Sequence, residues 1–402
     1  MNNKKPLTFY TGLLTVLLCL SVILNAVSWK SAAFSDWIRK YPFKVLQIIM
    51  SHISNLLPFS IGELVLFAAL LFILWNLILW VGDGIIFVHK AIVLKNRKAK
   101  EPGLTERLRQ RFPHYDRLYR VFEMGFAVTA LIMTITCFTL YHCTEIGDSF
   151  EKSDGDYTFE ELAELRDALV AEANQLSKVV TRDKNGIPHY EGDLKKKARE
   201  AMGEYAEDDQ VLSGYYSIPK PLRSSGFLCQ QNMCGYYFPF TMEANYNTMM
   251  TEINVPFTMC HELSHTKGYI REDEANYIAC VACLGSDDEF FRYSGVLGVL
   301  YYVDNDFLAA CGGKNELYKM HPAISSQVKK DNVFITEETK DKIEKKAVVS
   351  SDTVRKATET YINTTLNING IASGKVSYSE VVGLLLGLNR EKGLAIADNS
   401  RG

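Results

Sequence analysis

The sequence has little net charge. In 402 residues, 44 Lys and Arg stand against 47 Asp and Glu, a formal −3. That balance implies neither a nucleic-acid partner nor a strongly acidic substrate. It also lacks paired C-x-x-C units with zinc-finger spacing, although nine cysteines are present. Cys280 and Cys283 have the C-x-x-C look, but they fall among Ala, Val and Leu in an expected helix and read as buried thiols. Cys229 and Cys234 are close enough in sequence for a small disulfide in an oxidising space, a point the sequence leaves open. There is no internal repeat and no low-complexity tract, which excludes solenoids and long solvated linkers.

What the sequence does have is a segregation of apolar residues. Three spans are expected at about 7–27, 61–84 and 122–142, with uncharged cores at 7–27, 64–81 and 124–140. Each is long enough to cross a hydrocarbon layer of ~30 Å. The first follows Lys4 and Lys5 and reads as a retained anchor rather than a cleaved signal, because "NAVSWKSAAF" offers a poor cleavage site. The segment between the first two runs carries Lys30, Arg39, Lys40 and Lys44. The segment at 89–120 carries ten basic residues: Lys90, Lys95, Arg97, Lys98, Lys100, Arg107, Arg109, Arg111, Arg117 and Arg120. By the positive-inside rule that loop is cytoplasmic, as is the N-terminus, and everything after the third span lies outside. The expected architecture is therefore an α-helical membrane part over 1–144 and a mainly α extracytoplasmic domain over 145–402, with the lipid bilayer as one partner.

In the outer part, Thr158 and Glu161 fit a capping box, and Leu162, Leu165, Leu169, Ala173 and Leu176 repeat at helical spacing. A second, highly charged helix is expected over Asp193–Glu207. The aromatic stretch "CGYYFPFTMEANYN", with Pro239 inside, predicts a small edge-strand region that makes the domain locally α+β. "EVVGLLLGL" is too short to span a membrane and reads as buried.

The chemistry sits in "VPFTMCHELSHTKGYIREDEANYIAC". Asn254 and Pro256 start a helix and Gly268 stops it, so His261 and His265 share one face a turn apart. That pair suits two positions of a tetrahedral Zn2+, with Glu262 beside them as the general base for a metal-activated water. A second helix from near Glu272 can bring a carboxylate back to the metal. Glu272 and Glu274 compete for that third position; Glu272, with Ala275 and Asn276 in E-x-x-A-N, is preferred, and Asn276 would then hydrogen-bond a ligand histidine. Three protein ligands leave one position for water, the pattern of catalysis rather than structure. Cys260 points around the helix and should pack in the core.

These two motifs resemble the gluzincin class of zinc metallopeptidases, which implies a zincin-like domain, one zinc per chain and Glu272 as ligand. The apolar runs, "GYYFPFTMEANYN", "HELSHTKGYIREDEAN" and "NGIASGKVSYSEVVGLLL", in this order, resemble a bacterial membrane-protein family known as domain of unknown function 3810. In similar peptidases an edge strand beside the active helix holds the substrate backbone; Phe240, Glu243 and Asn245 are the expected residues here. Tyr301, Tyr302 and His321 are candidates to steady an oxyanion. The expected activity is hydrolysis of peptide bonds in an envelope or extracellular protein or peptide. The alternative is a non-catalytic envelope protein whose zinc site holds structure or a partner.

Overall fold

The computed structural model describes residues 4–92, 103–112, 115–150, 157–206, 210–371 and 380–392. Lys95, Arg97, Lys98 and Lys100 of the basic loop, Glu207, and residues 372–379 of the late apolar motif lie outside the described residues. The chain is mostly helical, with a small sheet, and it divides into two compact units.

The first unit takes residues 1–26 and 61–134. It holds most of α1 (Lys4–Ser28), α4 (Ile61–Ile92), α5 (Leu104–Arg111) and most of α6 (Tyr115–Thr136). Stretches Phe9–Ser28, Ile61–His89 and Tyr115–His142 are long and apolar enough to cross a membrane. Their large side chains, among them Ile23, Phe67, Leu71, Ile78 and Phe126, point outward rather than into a core. Water would penalise that surface at roughly 25 cal/mol per Å2, and lipid would not. Asn76, the strongly polar residue inside the second run, is matched across the bundle: the Tyr119 hydroxyl donates to its Oδ1 at 2.8 Å.

The second unit takes residues 27–60 and 135–402. A single boundary near residue 144 would place 27–60 with the membrane part, yet these residues pack with the outer chain. They are not a loop. They form α2 (Ala32–Ile38), one wide turn at Arg39–Phe43, and α3 (Lys44–Ser54). Pro42 has no N–H to give to the preceding turn, so the helix slackens there without ending. Ile38 and Phe43 are buried, whereas the inward face of α3 is polar: the Gln47 amide donates to the Tyr215 carbonyl at 3.0 Å, and Lys44 Nζ donates to Gln210 O at 2.7 Å.

The rest of this unit follows from apolar periodicity. α7 (Phe159–Val179) starts on the Thr158–Glu161 capping box and buries Leu162, Leu165, Leu169, Ala173 and Leu176. α8 (Leu194–Tyr205) is capped by Asp193. The sheet is β1 (Lys220–Leu222), β2 (Gly235–Phe238) and β3 (Glu243–Asn247), with α9 (Ser225–Gln231) between the first two. Its order is β1-β3-β2: β1 runs parallel to β3, and β2 antiparallel with Tyr236 opposite Asn245. β2 stops at Phe238 because Pro239 has no N–H to extend the ladder. α10 (Val255–His265), α11 (Glu272–Leu284) and α12 (Glu289–Ala310) then stack on one another, α10 against the sheet and α12 against α7. Short helices α13 (Asn315–Lys319) and α14 (Ser326–Asp331) lead to α15 (Glu337–Lys346), α16 (Ser351–Ile368) and α17 (Val381–Lys392). Val381, Val382 and Leu384–Leu386 of α17 are buried in the main core.

Candidate metal centre

α10 is built to hold its face toward α11. Asn254 and Pro256 open it, and the chain leaves it through Gly268 at φ +92°, where a side chain would be strained. An added Cβ at Gly268 would also meet Arg39 Cγ at 3.0 Å and Phe43 Cε1 at 3.3 Å. The six residues between His265 and Glu272 therefore make a tight return, and α11 begins at Glu272 itself.

That return brings three groups together. His261 Nε2 lies 3.1 Å from Glu272 Oε2, and His265 Nε2 lies 3.8 Å from the same oxygen. The ligand-capable atoms of His261, His265 and Glu272 all lie within 4.8 Å of one another. Both imidazoles are fixed from behind. His261 Nδ1 is 2.9 Å from Asn276 Oδ1, and His265 Nδ1 is 2.7 Å from the Tyr269 carbonyl. Each acceptor favours the proton on Nδ1, which turns the Nε2 lone pairs toward Glu272. Tyr269 contributes only its backbone, so no side-chain signal marked it.

Glu262 lies alongside, buried, and its Oε2 has no hydrogen-bond partner in the protein. Burial, with Glu272 adding to it and His261 opposing, pushes its carboxyl up to about 8. Burial also brings His265 down to about 4; at His261 burial is outweighed by the Glu272 carboxylate, and the shift is upward. Gly235 of β2 lies directly against this carboxylate: an added Cβ would sit 2.8 Å from Glu262 Cδ. A glycine at the start of an aromatic strand was the available signal, and sequence reasoning missed it.

Glu274 is turned away. Its Oε1 accepts the Ile146 N–H at 2.7 Å, and burial raises it to about 7. Asp273 faces Arg271, which also reaches Glu145 at 2.6 Å.

The expected substrate-strand residues are placed elsewhere. Glu243 and Asn245 lie on the central strand β3, not on an edge, and both are buried. Glu243 Oε1 accepts from Lys220 Nζ at 2.6 Å, and Asn245 Nδ2 donates to the Tyr236 carbonyl at 3.1 Å. Phe240 follows β2 in a turn and packs with Phe238. Alternation in a strand sends neighbours to opposite faces, so aromatic content alone could not tell edge from centre. The edge strand beside α10 is β2.

Of the oxyanion candidates, His321 is committed to Asp167 at 2.8 Å and packs on Phe307, and Tyr301 faces outward. Tyr302 is half-buried and feels the Glu272 charge, although burial is the larger reason its phenol rises to about 12. Tyr236 of β2, which sequence reasoning passed over, feels both Glu262 and Glu272 and is likewise raised, mainly by burial, to about 12. Both phenols keep their protons at neutral pH. Cys260, Cys280 and Cys283 are fully buried, with Cys260 and Cys283 sulfurs 3.7 Å apart; Cys229 and Cys234 are free thiols.

No curated protein and no solved structure matches the chain. Residues 39–386, which take in α3, the sheet and the whole His–Glu cluster, match the family described as Protein of unknown function (DUF3810), and the chain belongs to that family.

Proposed function

We propose that the chain is a membrane-anchored, zinc-dependent metallopeptidase, with a zincin-like second unit on the extracytoplasmic side. The observation that carries this reading is the convergence of two Nε2 lone pairs and one carboxylate beside a buried, partnerless glutamate oxygen. The donor set fits zinc. Bonds of ~2.0–2.1 Å to a tetrahedral ion set its ligand atoms roughly 3.3 Å apart. The separations of 3.1 and 3.8 Å bracket that value. Zinc held there would supply a Lewis acid for the substrate carbonyl and lower the pKa of a water.

The chain's own residues do the rest. Asn276 and the Tyr269 carbonyl hold the two imidazoles in orientation. Glu262 takes the proton from the attacking water as its oxygen bonds to the carbonyl carbon. It then delivers that proton to the amine nitrogen as the C–N bond breaks. A nearby positive charge lowers the Glu262 carboxyl from about 8 toward the range that a base needs at neutral pH. Tyr302 and Tyr236, both protonated at neutral pH and within the field of Glu272, are the candidate donors to the oxyanion. β2, as an edge strand, offers backbone groups to an extended peptide. Orientation follows the basic residues of 89–120, which favour the cytoplasmic side for that loop.

The test is metal content of the purified full chain, prepared without chelators, followed by peptide-library cleavage. Wild type should hold about one zinc, as three protein ligands predict. His261→Ala and Glu272→Ala should lose it and Glu274→Ala should keep it. A folded wild-type protein that takes up no metal when zinc is supplied would sink the reading.

A further inference from the structure

The helix over Ala32–Ser54 turns a row of large apolar side chains outward, which water would penalise. Its inward stripe is mixed: Ser35, Ile38, Phe43, Gln47, Ser51 and Ser54 are all buried. Its outward stripe is Trp37, Tyr41, Val45, Ile49, Ile53 and Leu56, each more than half exposed. The spacing of the outward set is helical, so it forms one continuous apolar face. A hollow beside it is lined by Tyr41, Val45, Leu46, Ile48 and Ile135, with Lys40 and Lys44 at its rim. Scattered exposed apolar residues need no explanation, but a contiguous stripe does.

The chain itself says what covers it. α1 ends at Ser28, and the stripe-bearing helix begins at Ala32; α3 ends at Ser54, and α4 begins at Ile61. Both ends are thus tied, within a few residues, to helices of membrane-crossing length, and a connection between two successive spans returns on one face of a bilayer. The composition agrees. Trp29, Trp37 and Tyr41 are the residues that favour the headgroup level, and Lys30 and Lys40 are exposed beside them.

We infer that the outward face of Ala32–Ser54 lies in the lipid interface and seats the second unit on the bilayer surface. The same helix reaches the candidate site. Arg39 and Phe43 abut Gly268, and the Arg39 guanidinium lies 4.9 Å over the Tyr269 ring, whose residue holds His265 through its carbonyl. On this inference the lipid-facing helix also packs, through its wide turn at Arg39–Phe43, against the return that follows His265.

The experiment uses the full chain in phosphatidylcholine–phosphatidylglycerol vesicles, with Trp29, Trp75 and Trp80 changed to Phe so that Trp37 alone fluoresces. Lipids brominated high in the acyl chain should quench Trp37, and aqueous iodide should not. Val45→Glu, Ile49→Glu and Ile53→Glu together should roughly halve the bromolipid quenching and admit iodide. Iodide quenching in the parent would overturn the inference, and so would a Trp37 shielded from both quenchers, since a protein would then cover the face. A companion that keeps only Trp75 and Trp80 reports whether α4 is inserted, so failure of the interfacial face is distinguishable from failure of membrane insertion. If the single-Trp protein does not fold, the wild-type chain labelled with an acyl-diazirine phosphatidylglycerol decides. Adducts on residues 37–57 support the inference, and adducts confined to α1, α4 and α6 refute it.

Discussion

Of the places in the second unit that bury charge, two are finished differently. In the sheet, Lys220 and Glu243 are almost fully buried against each other at 2.6 Å. The lysine also donates to the Ser54 and Phe59 carbonyls, and the second Glu243 oxygen accepts from Thr241 at 2.8 Å. That network is closed, and nothing further is needed to satisfy it. Between α10 and α11, His261, His265 and Glu272 converge, and beside them Glu262 Oε2, also buried, has no partner in the protein. A closed buried pair is what holds a fold, whereas an open one invites a ligand. The proposed reading of the second place as a ligand site rests on this difference.

The largest effect should come from the open cluster. Glu262→Gln keeps the shape and removes the base, so peptide cleavage should fall by ~10²–10⁴-fold with metal content unchanged. Equal cleavage by the variant would show that Glu262 is not the base. Next, Lys220→Met leaves Glu243 buried without its cation and should destabilise the second unit by about 3–5 kcal/mol in denaturant unfolding. A loss below ~1 kcal/mol would mean that this pair is not the closed structural network described. Gly235→Ala should have a mixed effect, overpacking β2 against Glu262 for about 1–3 kcal/mol and suppressing cleavage more than Lys220→Met does at matched stability. Wild-type turnover in that variant would remove β2 from the site.

The smallest effect separates Glu272 from Glu274. Burial raises the folded pKa of Glu274 to about 7, above its ordinary value. A carboxyl raised on folding contributes stability fully below its unfolded pKa and loses it as pH climbs through the folded value. Glu274→Gln mimics the protonated form and should raise stability on the order of 1 kcal/mol above pH 7, with no gain at pH 4. A melting temperature lowered at both pH values would contradict this.

Much of this was legible in the sequence wherever periodicity spoke. The capping box at Thr158, the buried stripe of α7, the bounds of α10 and the start of α11 at Glu272 all follow from local chemistry. Glu272, preferred in the sequence for its E-x-x-A-N context, is the carboxylate that the structure brings beside the two histidines. The strand residues were less legible. Edge and centre are decided by a parallel partner, β1, that lies before α9, outside the aromatic stretch, and has only three residues. The segment after the first apolar run shows in the sequence only its basic residues, Lys30, Arg39, Lys40 and Lys44. Only the fold reveals that Gln47, Ser51 and Ser54 turn inward. Gly235 and the Tyr269 carbonyl act by backbone position, which no side-chain pattern encodes.

The polar inward face of α3 also bears on the order in which the molecule is made. Residues 32–60 leave the ribosome some two hundred residues before α10, yet they carry Arg39, Phe43, Gln47 and Asn55, which lie against Gly268, Tyr215 and Ile218. The early segment is therefore made long before the residues that complete its packing. A fragment begun after the third apolar helix would be born without one wall of its own interior.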